Sequence, residues 1–76
     1  MYIDKIQSLE SKIEELNNII KRDKKEIKKR EKILNMTVDE DLEAQILEYK
    51  EEIENFRNIL KTKKQLLKNY KKLWNN

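Results

Sequence analysis

Two runs of apolar residues, each repeating at alternating three- and four-residue intervals, dominate this sequence, and they are out of phase with each other. With Ile6 set at heptad position a, the a sites of the first run are Ile6, Ile13, Ile20, Ile27 and Leu34. Its d sites are Tyr2, Leu9, Leu16, Asp23 and Arg30. The second run places Ile46, Ile53, Leu60, Leu67 and Trp74 at a, and Leu42, Tyr49, Phe56, Lys63 and Tyr70 at d. A seam with this spacing belongs to a helix packed along another helix. Leu34 and Ile46 are twelve residues apart, neither seven nor fourteen, so one unbroken helix would turn its two seams to different faces.

The phase slip falls where the local chemistry also favours a break. Thr37 and Glu40 have the spacing of a capping box, which satisfies free amides at a helix start. Asp39, Glu40, Asp41 and Glu43 suit the positive end of a new helix dipole, and Lys28, Lys29, Arg30 and Lys32 suit the negative end of the preceding one. Asn35 is an acceptable residue for a left-handed helix end where glycine is missing. The pattern predicts helix 1 over about 3–34, a turn over about 35–37 and helix 2 over about 38–74. The absence of Gly and Pro leaves a continuous bent helix as the competing architecture.

Charge decides how the two helices pair. Residues 1–20 carry a net −2, residues 21–34 carry +5, residues 35–54 carry −7 and residues 55–76 carry +7. Folding at residue 36 lays the +5 block against the −7 block, with residue i facing roughly 73 minus i. It also relieves the like-charged pairs Lys21/Lys25, Lys24/Lys28, Lys25/Lys29 and Lys28/Lys32, each costing about 0.2–0.5 kcal/mol in an isolated helix. A parallel in-register pair of chains would instead put +7 on +7. The predicted fold is therefore all-α: an antiparallel two-helix hairpin, a coiled coil forming one domain over residues 1–76.

A hairpin of this size buries little by itself. Beyond the seam, the g positions Ile19 and Ile33 of helix 1 and Val38, Ile59, Leu66 and Leu73 of helix 2 are apolar. A stripe of a, d and g is wider than one partner helix covers, so the expectation is a homodimer or higher oligomer, most simply a four-helix bundle. Ile19, Ile59, Leu66 and Leu73 are the residues expected to face a partner.

With no Cys or His, the chain lacks a thiolate nucleophile, a disulfide, an imidazole base and a soft-metal site. Without Gly it has no phosphate-cradling loop. The acidic run Glu48, Glu51, Glu52 and Glu54 has neither Glu-x-x-His nor calcium-loop spacing and reads as a solvated face. No catalytic residue, metal or cofactor is expected. The N-terminal MYIDKIQSLE lacks the apolar core of a signal peptide, which favours a bacterial or host-cell cytoplasm.

Three polar d residues compete between two roles. Asp23, Arg30 and Lys63 can fix register and oligomer number, or Arg30 and Lys63 can bind an anion inside the bundle. The 73-minus-i rule sets Asp23 opposite Lys50, Arg30 opposite Glu43 and Lys63 opposite Glu10. Arg57, Lys61, Lys63, Lys64, Lys68, Lys71 and Lys72 form a basic stretch without an acid, facing a segment of only −2. Such a patch suits an acidic protein surface, nucleic acid or a nucleotide held between subunits with Arg30. Lipid is disfavoured because the bundle needs the same Leu and Ile residues.

The leading expectation is a non-enzymatic, self-associating hairpin that binds or blocks a protein partner; the alternative is an anion-binding module. In length and layout the chain is similar to small phage inhibitors of host machinery and to plasmid copy-control hairpins that bind RNA. No residue motif carries that likeness further. Lys, Ile and Asn supply 33 of 76 residues, the bias of an AT-rich genome, which a phage origin accommodates.

Overall fold

A computed structural model describes residues 2–75. Helix α1 spans Tyr2–Leu34 and helix α2 spans Glu40–Asn75, and the two lie antiparallel along each other. The molecule measures 58 × 14 × 13 Å. That length is about one 36-residue helix at 1.5 Å per residue. A continuous rod would reach roughly 100 Å, so the hairpin is the architecture.

The seam closes as the heptads require. Leu16, Ile20 and Ile27 of α1 form one core with Ile46, Ile53 and Leu60 of α2, and Ile13, Leu34, Tyr49 and Phe56 pack against it. Ile6 is also buried, while Leu9, Leu42, Leu67 and Tyr70 are half-buried. Trp74 departs from the predicted seam, being 51% exposed. Its layer falls level with residue 1, which lies outside the described residues. Tyr2 is likewise exposed, with its ring centroid 5.9 Å from that of Tyr70.

The turn corrects three details. Helix α2 begins at Glu40 instead of residue 38, and Asp39 caps it instead of Thr37. The Asp39 carboxylate accepts hydrogen bonds from the amides of Asp41 at 2.9 Å and Leu42 at 3.2 Å. A carboxylate makes charge-assisted bonds to these amides, so it displaces a threonine hydroxyl that has the right spacing only. Among the described residues no backbone φ is positive, so Asn35 does not adopt the left-handed conformation. Helix α1 instead ends by tightening: the Met36 and Thr37 amides both donate to the Ile33 carbonyl, at 3.0 and 3.1 Å.

The longer turn moves the fold point by one residue and the facing partners of Arg30 and Asp23 by two. Arg30 meets Gln45 and Asp23 meets Glu52, pairs whose numbers sum to 75 instead of the predicted 73.

Candidate interaction surface

In an antiparallel pair the g positions of both helices share one flank and the e positions share the other. The clefts show this directly. Lys5, Leu66 and Tyr70 line one together, and Lys24, Lys50 and Arg57 line another on the opposite flank.

Along the g flank, α2 presents Ile59, Leu66 and Leu73, which are 44%, 42% and 51% exposed. They repeat every seven residues, so they stand in a row about 10 Å apart. Ile19 of α1, half-buried, lies on the same flank near its middle, and Ile33 and Val38 are exposed toward the turn. Of these, Ile19, Ile59, Leu66 and Leu73 are the residues expected to face a partner; helix pairing within the hairpin leaves Ile59, Leu66 and Leu73 exposed and Ile19 half-buried, and Val38, expected in helix 2, lies in the turn before it.

Between Ile19 and Ile33 this flank is polar and built around Arg30. Its Nε donates to Gln45 Oε1 at 2.8 Å. Its Nη1 donates to the Glu26 carboxylate at 2.7 Å and the Glu26 carbonyl at 3.1 Å. The guanidinium carbon lies 4.8 Å from the Tyr49 ring centroid. The bond from Arg30, aided by the nearby charge of Lys29, holds the Glu26 carboxyl below its ordinary value. The same bond raises the Arg30 pKa. Glu48 and Glu52 line the cleft beside Arg30, a poor place for an anion. Arg30 therefore does not meet Glu43 as expected: its own helix and Gln45 satisfy it. Gln45 and Glu26 were not singled out in the sequence, although both are g positions flanking a d-site arginine.

Asp23 is the other departure. It is 1% exposed, and its Oδ2 has no hydrogen-bond partner. Across the interface stands Glu52, not Lys50, because of the two-residue shift. Hydrogen bonding with Asp23 raises the Glu52 pKa, burial and the Asp23 charge add to this, and Arg22 opposes it. Two carboxyls that face each other in the seam are stable together when one carries a proton.

The basic stretch is distributed around α2. Arg57, Lys61, Lys64, Lys68, Lys71 and Lys72 are exposed and Lys63 is half-buried. Among the described residues none of the seven makes an ion pair. The pairs present, Lys12–Glu15, Lys29–Glu26 and Arg30–Glu26, all lie within α1. Lys63 does not reach Glu10 in an ion pair as predicted, and the opposed charge blocks act without bridging contacts between the helices. The structure adds Lys24 and Lys50 to Arg57 at one cleft, a grouping that e positions in an antiparallel pair signal once the fold direction is known.

Among the described residues no group of three or more His, Cys, Asp or Glu is arranged to hold a metal, and no helix is long and apolar enough to cross a membrane. Fold and surface together define an all-α helical hairpin with one apolar flank. No protein-family model, curated protein or solved structure matches the chain.

Proposed function

We propose that this protein is a non-enzymatic interaction module: a helical hairpin that self-associates through its g flank and, so assembled, binds or blocks a protein partner. The observation that carries the reading is the row Ile59, Leu66 and Leu73, each more than two-fifths exposed along one line of α2. Fully burying a Leu or Ile side chain contributes about 1.5–3 kcal/mol, so a row half in water has much to gain from a cover. Intracellular action, with the inhibitor role seen in small phage proteins of similar layout, is the setting this reading favours. Sedimentation equilibrium tests it. The wild-type chain should exceed its 9.4 kDa monomer mass, and Leu66→Glu should reduce the mass to that of a helical monomer. A wild-type chain that stays monomeric at every concentration would remove the reading.

A second reading, binding of nucleic acid or another polyanion, is favoured by one observation: the cations from Arg57 to Lys72 make no ion pair among the described residues. Joint replacement of Lys64, Lys68, Lys71 and Lys72 by Glu should abolish salt-sensitive retention of nucleic acid in a filter-binding assay, with helicity unchanged. Equal retention by both proteins would eliminate it.

A further inference from the structure

The g flank has a built-in direction. The half of the hairpin nearest the chain ends, residues 1–20 and 55–76, carries a net +5, and the half nearest the turn, residues 21–54, carries −2. Ile19 and Ile59 sit close to the boundary between these halves, near the middle of the 58 Å molecule. From that centre α1 carries opposite charges at one pair of matched positions. Seven residues from Ile19 toward the open end is Lys12, and seven residues toward the turn is Glu26. Fourteen residues from Ile59 toward the open end is Leu73, and fourteen from Ile19 toward the turn is Ile33.

Two symmetric ways exist for a second copy to cover this flank. If the two-fold axis runs along the hairpin, the copies are parallel and α1 faces the partner's α2. The +5 halves then lie together, and Glu26 comes level with Glu52 of the other copy. If the axis runs across the hairpin, the copies are antiparallel, and each helix faces its own equivalent. The +5 half of one copy then covers the −2 half of the other. Ile19 meets its counterpart, as does Ile59, and Lys12 falls opposite Glu26. On α2, Leu66 falls opposite Glu52 and Leu73 opposite Gln45, with Ile33 of α1 at the same level as Gln45. The opposite flank is more heavily charged: Lys24, Lys50, Glu54 and Arg57 surround Ile53 in one of its clefts, and Glu31, Glu43 and Lys50 flank Leu34, Ile46 and Leu47 in another.

Resting on the self-association reading, we propose that the occupant of the g flank is a second copy of this chain, docked antiparallel about a two-fold axis beside Ile19 and Ile59, with Lys12 of each copy facing Glu26 of the other. Like charges at matched positions disfavour the parallel dimer, and opposite charges favour the antiparallel one. Lys12 is free to swing across, since its present partner Glu15 is an exposed neighbour on the same helix at 3.5 Å.

The test uses the full chain with Asn75→Cys carrying a nitroxide, and electron–electron resonance measures the distance between copies. Asn75 lies sixteen residues from Ile59, about 24 Å at 1.5 Å per residue. The antiparallel dimer therefore predicts a label separation of roughly 50 Å, and the parallel one a separation of roughly 20 Å. Sedimentation of the same sample separates the two ideas. A dimer with the short distance overturns the orientation and leaves self-association standing, whereas absence of any dimer overturns both. A second arm needs no label. Lys12→Glu should weaken dimerisation at least several-fold, and Lys12→Glu combined with Glu26→Lys should restore it. Failure of the double variant to recover, while circular dichroism shows it folded, would overturn the Lys12–Glu26 pairing.

Discussion

Replacing Asp23 with leucine should make this protein more stable, the reverse of what a core substitution normally does. The side chain is 1% exposed, Oδ2 has no partner, and its neighbour across the seam is another carboxyl. Leaving a buried acceptor unsatisfied costs about 1–3 kcal/mol. Replacing buried charged groups with apolar ones often stabilises by about 1–4 kcal/mol. Leucine is bulkier than aspartate, and overpacking opposes part of this gain, though d is a position where leucine packs well. A net gain of about 1–2 kcal/mol follows, which for a domain of this size raises Tm by roughly 5–15 °C. The pH dependence gives an independent check. Glu52 has a folded pKa raised above the ordinary 4.5, so its contribution to stability is fully present below 4.5 and is lost as pH rises through the folded value. Glu26 has a lowered pKa, so its contribution is present above 4.5 and is lost as pH falls through its folded value. Wild-type stability should therefore increase on acidification from neutral toward pH 4.5 and decline below it. In Asp23→Leu the largest cause of the Glu52 shift is gone, and the rise above 4.5 should flatten. Thermal melts across this range, at one protein concentration, read both effects. A lower Tm at neutral pH, or an unchanged slope above pH 4.5, would refute the reasoning.

The remaining predictions concern the cap, the seam and the arginine. Asp39→Ala should cost about 1 kcal/mol by urea denaturation, because two amides of α2 lose their acceptor, whereas Thr37→Ala should change stability little. Ile20→Asp or Leu60→Asp would place a carboxylate in the centre of the core at a cost of several kcal/mol, seen as loss of helicity in circular dichroism. Unchanged ellipticity would mean that the seam is not where the heptads place it. Arg30→Met should let the Glu26 carboxyl titrate closer to its ordinary value, read by NMR of the side-chain carboxyl carbon. A Glu26 titration that did not move would show that Lys29 governs it.

Heptad phase is a local property, written residue by residue, and it determined the two helices, the break between them and which side chains enter the core. Ile20, Ile27, Ile46, Ile53 and Leu60 could be assigned from spacing alone, because a 3.6-residue turn repeats the same geometry wherever it occurs. Block charges determined the antiparallel direction, since averaging over many residues makes that argument insensitive to register. The register itself was decided only by the three-dimensional turn. Asp39 captured the start of α2, the connection grew from three residues to five, and the facing partners of Arg30 and Asp23 moved by two. That shift exchanged Lys50 for Glu52 opposite Asp23 and turned an expected ion pair into a carboxyl pair. It likewise gave Arg30 a neutral amide across the seam in place of an acid. A few backbone dihedrals in one short segment control contacts along the entire hairpin, and their sum is a tertiary quantity that no periodicity in the chain encodes.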